Sequence, residues 1–234
     1  MRGPCSLRRW RPAFFSSSFF DPAMSSLFAS PSAAAGALLA LAACAWAGHA
    51  HADYVWLQRD GAQARAYAGE LPRRSAALPP LQAPRAYLAD GKDLPVAPQA
   101  GHIDITAPGG DDLRLSALHI TGHGAVTYYQ ARTGRTETRA ANDLELVPTT
   151  PGGNTFKLVW KGQTVAASQV NVDTSAGWRR TLAPAADGTV QLDTPFPGLY
   201  VLEVSAKVNG SVTVDGKKYD DVRHTATLSF EVPR

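Results

Sequence analysis

The sequence predicts an all-β protein, and three observations carry that prediction. No stretch beyond residue 53 holds a sustained helical period. Short alternating or β-branched segments recur instead, such as "HIDIT", "LRLSALHI" and "AVTYYQAR", parted by turn clusters such as "PGGDD" and "TGHG". The last segment, "VRHTATLSFEV", has period two: Val222, His224, Ala226, Leu228, Phe230 and Val232 share one face, and Arg223, Thr225, Thr227, Ser229 and Glu231 the other. Short strands at this spacing imply β-sandwich-like domains, and the length allows two of them.

Residues 1–52 read as a leader. The apolar run Ala33–Ala47 is bounded by small residues and falls short of the ~20 apolar residues of a membrane span, so it reads as the core of a secretory signal. An Arg- and Ser-rich stretch precedes it, and Met24 offers a second start beside Met1. Three cleavage patterns fit. Ala50–Ala52 starts the mature chain at Asp53 and discards both His49 and His51; Gly48–Ala50 starts it at His51. Leu41–Cys44 has the form of a lipoprotein box, which acylates Cys44 and retains both histidines. All three predict export to the periplasm, with no transmembrane segment in the mature chain.

The expected N-terminal β domain covers residues 53–147. It opens with a hairpin, two short runs joined across Asp60-Gly61. Residues 70–100 carry Pro72, Pro79, Pro80, Pro84, Pro95 and Pro98 and read as a loop-rich excursion, with one short element around Ala86–Leu94. From His102 the strand rhythm returns. Pro and Gly concentrate again in "VPTTPGGN", residues 147–154, which marks the expected domain boundary. A C-terminal β-sandwich domain over residues 148–234 follows, with five or more strands and turns such as Ala186-Asp187-Gly188.

Charge and cysteine content narrow the function. The net charge of +3 comes from the leader, which holds Arg2, Arg8, Arg9 and Arg11 against Asp21 alone. From Asp53 onward, 19 Lys plus Arg face 19 Asp plus Glu, which removes the clustered positive charge that nucleic-acid binding needs. Both cysteines, Cys5 and Cys44, also lie in the leader, so thiolate catalysis and Cys-based zinc sites are excluded for the mature domain. A nucleophile elbow, a phosphate loop and a His-Glu-x-x-His helix are all missing from the sequence, so a non-catalytic role is expected.

Several constellations could carry binding chemistry. A free amino-terminal His51 chelates a metal through its amine and ring nitrogen, with Asp53 two residues away as an oxygen donor. His224 begins the core-facing side of the last strand, as a rim histidine or a ligand. His119 and His123 have helical metal-site spacing, but Gly122 and Gly124 make the local pattern strand-like and favour separate turn or surface histidines. His102 and Asp104 share a strand face. Tyr128-Tyr129 with Trp160 or Trp178 are candidates to line a groove for sugar or protein, against the simpler expectation that they pack in the core.

The stretches "TRAANDLELVPTTPGGNTFKLVWKGQTV", "GLYVLEV" and "DGKKYDDVRHTATLSFEV", together with the opening "HADYVWLQRDGAQARAYAGE", resemble a bacterial exported family, domain-of-unknown-function family 4198. The resemblance covers the chain from about His51. It implies a C-terminal half of transthyretin-like or carboxypeptidase-regulatory-like form, of a kind that is commonly accessory. It also implies a periplasmic accessory to nickel or cobalt uptake that binds Ni2+ or Co2+ and hands it to an envelope metal transporter. His51, His224 and Asp53 are the expected metal ligands, no organic cofactor is expected, and a non-catalytic carbohydrate- or protein-binding module of the envelope is the alternative.

Overall fold

The computed structural model describes residues 53–234; the leader, with its cleavage patterns and with Cys44, His49 and His51, lies outside them. The described residues hold nineteen strands and no helix, so the all-β class is what the chain adopts. The first half carries β1 (Tyr54–Asp60), β2 (Gln63–Glu70), β3 (Arg73–Arg74), β4 (Gln82–Leu88), β5 (Asp93–Leu94), β6 (Val96–Pro98), β7 (Ile103–Thr106), β8 (Leu113–Ile120) and β9 (Ala125–Thr133). Then come β10 (Leu144–Pro148), β11 (Thr155–Trp160), β12 (Gln163–Val165), β13 (Val170–Thr174), β14 (Arg179–Leu182) and β15 (Thr189–Gln191). The chain closes with β16 (Gly198–Val208), β17 (Val212–Val214), β18 (Lys217–Tyr219) and β19 (Asp221–Val232).

One eight-stranded sheet, ordered β14-β13-β16-β19-β9-β8-β4-β5, runs through the molecule. A sheet of β1, β2, β7 and β6, with β3 on β2, packs on one of its faces. A sheet of β10, β11 and β12, with β15 on β11, packs on the other. The two cores between these layers divide much as the sequence halves do. Val55, Leu57, Ala66, Ile103, Ile105, Leu113 and Leu115 fill one, and Leu146, Phe156, Leu158, Val172, Tyr200, Leu202, Leu228 and Phe230 the other.

The expected boundary at 147–154 is corrected by the strand pairing. Those residues end β10 and form the turn of the β10–β11 hairpin, in which Pro148 faces Phe156. The central sheet joins the halves, because β9 from the first pairs in parallel with β19 from the second, from Ala125 with Asp221 to Thr133 with Ser229. Residues 53–234 therefore belong to one compact unit with two large cores and a smaller cluster of Tyr54, Trp56, Leu199 and Val201, and not to two separate domains. The Pro-rich stretch is also more regular than its composition predicts: β4 joins the central sheet against β8 with a bulge between Gln82 and Arg85, where Pro84 sits without breaking the ladder.

The last strand shows why period two does not mean one wet face. Val222, His224, Ala226, Leu228 and Phe230 are buried as expected, but Thr225, Thr227 and Ser229 on the opposite face are buried too. That face meets the edge of β1. The Thr227 hydroxyl donates to the Val55 carbonyl at 2.7 Å and the Ser229 hydroxyl to the Leu57 carbonyl at 2.5 Å. Side-chain hydroxyls thus satisfy an edge that no strand among the described residues covers.

A buried ionic network fixes the chain between β9 and β10. Arg114 and Arg132 are fully buried side by side on paired positions of β8 and β9. Asp112 and Glu145, also buried, and the half-buried Glu137 neutralise them. The same carboxylates hold the connecting backbone: Asp112 accepts from the Thr136 and Glu137 amides, and Glu145 Oε2 from those of Ala141 at 2.9 Å and Asn142 at 2.7 Å. Gly134, at φ 97°, passes so close to Asp112 that a Cβ there would collide with its carboxylate. This anchoring leaves Asp143 and Leu144 in fixed positions beside the site described next.

Candidate functional site

Residues of β9, β11 and β19 that lie far apart in sequence meet on one side of the central sheet. In the parallel register His224 stands beside Tyr128, so both project from the same face, toward the end of β11. Their rings stack at 4.7 Å with 14° between planes, and Trp160 meets His224 edge-on at 4.7 Å and 85°. A cavity of about 260 Å³ opens at this cluster, lined also by Asp143, Lys161, Asn209 and Ser211. Lys161 and Gly162, at φ 46° and 81°, form a tight hairpin turn between β11 and β12. The Lys161 amide donates to the Asp143 carbonyl at 2.6 Å, and its ammonium lies 5.3 Å from the Trp160 ring centroid.

The geometry fixes the protonation of His224. Gln130 Oε1 accepts the Leu144 amide at 3.2 Å, so it is the carbonyl end of the side chain that faces His224 Nδ1 at 3.1 Å. Nδ1 must then carry the proton and donate it, which leaves Nε2 as a lone-pair acceptor. Burial pushes the imidazole down from 6.5 to about 4, with nearby Asp143 working against that shift and Lys161 adding to it. Neutral His224 is therefore the form present at physiological pH. A second, more apolar cavity of about 460 Å³ adjoins through Trp160 and Val208, with Leu144, Leu158, Val165 and Ala206 in its walls.

The other sequence candidates separate. His51 lies outside the described residues. Asp53 is exposed before β1, and its charge, after burial, helps push the Tyr129 phenol up. Tyr129 points away from Tyr128, into the core under β1 and β2, so Asp53 and His224 act on opposite faces of the central sheet. His119 reaches the Pro80 carbonyl at 3.3 Å while His123 sits in the 121–124 turn, so the two have different settings. His102 Nε2 does meet Asp104 at 3.1 Å, but Arg65 takes the same carboxylate oxygen at 3.2 Å. Trp178 packs edge-on against Phe196 at 6.1 Å. Among the described residues no group of three or more His, Cys, Asp and Glu side chains is placed to hold a metal ion. His224 and Asp143 offer two donors in one cavity, short of the three or four that a preformed centre supplies.

No protein-family model matches the chain, and no curated protein does. Among solved structures, a match is the Bacteroides ovatus mixed-linkage glucan utilization locus protein SGBP-B in complex with a mixed-linkage heptasaccharide. The identity is 12%, the match covers 76% of this chain and 45% of that one, and the TM-score is 0.16. The chain thus spans less than half the length of that protein, and a likeness at this TM-score carries no argument about fold or function.

Proposed function

We propose that the chain is an exported, non-catalytic binding module whose Tyr128–Trp160–His224 cavity takes one ring of a neutral, hydroxylated ligand of the saccharide class. The observation that carries this reading is the convergence of those three aromatic rings with the polar rim of Asp143, Lys161, Asn209 and Ser211. Concave sites with aromatic walls and a few placed polar groups are the usual form of small-ligand sites. At about 260 Å³ the cavity falls just under the ~300–1,000 Å³ of drug-sized sites, so it suits one ring better than a chain of them. Neutral His224 offers Nε2 to a ligand hydroxyl, and Asp143 and Lys161 add one acceptor and one donor. Calorimetric titration with a panel of neutral mono- and oligosaccharides tests it. Tyr128→Ala or Trp160→Ala is expected to weaken binding at least about tenfold, the equivalent of ~1.4 kcal/mol. If no saccharide binds, or the variants bind as well as the parent, the reading fails.

One observation favours a second reading, the nickel or cobalt accessory that the family resemblance implies. An imidazole whose Nδ1–H is held by an amide carbonyl, with Nε2 free, is how metal-ligating histidines are commonly oriented. Asp143 shares that cavity as a second donor, and the expected ligand His51 lies outside the described residues. Titration with nickel chloride at pH 7.5 and 5.5 separates the contributions. Ligation by leader histidines weakens as pH falls through ~6.5, whereas His224, titrating at about 4, still offers a neutral ring at the lower pH.

A further inference from the structure

On the other face of the central sheet a cavity of about 490 Å³ lies where β1 meets the ends of β13, β16 and β19. Its walls include Trp56, Gln58, Arg74, Ser175, Leu199 and Glu231. Trp56 is fully buried, and its indole Nε1–H has no hydrogen-bond partner among the described residues. Buried donors nearly always find an acceptor, and leaving one unmet costs about 1–3 kcal/mol. The carbon frame of the ring is well used, edge-on to Tyr54 at 5.5 Å and tilted on Tyr67 at 5.6 Å, with Leu199 and Val201 in the same cluster. A phenyl ring has the same kind of contacts to offer without introducing the unmet donor. The indole nitrogen is what that packing leaves unexplained.

The wall also carries two exposed charges. Arg74 makes no ion pair among the described residues; its guanidinium lies 4.5 Å over the Tyr67 ring. Glu231 likewise has no cationic partner there, and burial pushes its carboxyl up. Both groups are solvent-exposed, whereas the buried carboxylates close by are paired, Glu70 with Arg73 and Arg179, and Asp173 with Arg179 and the Tyr54 hydroxyl. Ser175 accepts the Leu199 amide at 2.9 Å and keeps its own hydroxyl hydrogen to donate. The wall therefore presents a cation, an indole donor, a hydroxyl donor and one carboxylate, with donors in excess.

We infer that this cavity binds a small hydroxylated carboxylate of the uronic-acid class. Its carboxylate pairs with Arg74, a ligand oxygen accepts from Trp56 Nε1, and a ligand hydroxyl donates to Glu231. The site is independent of the Tyr128–Trp160–His224 cavity and stands whether or not that one binds saccharide. Nitrogen-15 NMR of the tryptophan side chains in the purified protein tests it, with Trp56→Phe identifying the Trp56 signal. D-glucuronate is the probe, D-glucose lacks the carboxylate, and acetate lacks the hydroxyls. The expected result is a saturable shift of the Trp56 signal with glucuronate, weakened at least about tenfold in Arg74→Gln, the scale of one charge-assisted hydrogen bond. Trp160 and Trp178 signals that stay in place in Arg74→Gln show that the variant is folded. No Trp56 shift with glucuronate overturns the site, and an equal response to glucose or acetate, or one retained in Arg74→Gln, overturns the ligand class.

Discussion

The low proton affinity of His224 makes it a measurable acid sensor of the fold. Its folded value of about 4 lies below the ordinary 6.5, so the unfolded chain binds the proton more tightly across that interval. The stabilisation is complete above pH ~6.5 and is lost progressively as pH falls toward 4. At ~1.4 kcal/mol per unit the interval corresponds to about 3 kcal/mol. His224 is only 6% exposed, so solvent does little to reduce that figure. Replacing it with Phe keeps a ring against Tyr128 and Trp160 and removes the titration, while Gln130 still accepts from Leu144. Urea unfolding of parent and His224→Phe at several pH values between 7.5 and 4 gives the difference directly. The parent is expected to lose about 3 kcal/mol relative to the variant over that range, whatever the constant offset between them. Parallel pH profiles would show that the imidazole titrates alike in both states and would refute the assignment of a desolvated, neutral ring.

Three further outcomes probe the architecture. Phe230→Ala removes a ring 4% exposed and stacked 5.6 Å from Tyr200, and should cost about 3–5 kcal/mol by urea denaturation. Arg132→Met leaves Asp112 without its ion-pair partner and Glu145 with Arg114 alone, and should destabilise by about 3–5 kcal/mol, read as a lowered urea midpoint. Thr227→Val leaves the Val55 carbonyl without its hydroxyl donor and should cost about 1–3 kcal/mol, with faster amide hydrogen exchange along β1 than along β11.

The sequence made the all-β class and the buried face of β19 legible, because both rest on local rules: period two, and turns marked by Gly and Pro. It misjudged what those rules leave open. Thr225, Thr227 and Ser229 look like a solvent face until β1 is known to run across them, and nothing near residue 227 announces Val55. The "PTTPGGN" cluster is the chemistry of a tight reversal, and a reversal inside a hairpin has the same composition as a linker between domains. Tyr128, Trp160 and His224 were each noticeable, yet only the parallel β9–β19 register places two of them ring on ring. Asp143, Lys161 and Gln130 carried no signal of their own, since their roles depend on which backbone atoms lie opposite.

That parallel register also sets a timetable. Strand β9 cannot take its place beside β19 until the chain has been made through residue 232, and the wall shared by both cores is missing until then. Pairings across such sequence distances form slowly compared with hairpins. A nascent chain of this design can form its hairpins early but cannot complete its central sheet before β19 has left the ribosome. For the export proposed here such a delay would be useful, since a chain that has not yet closed its central sheet can still be threaded through a narrow secretion channel.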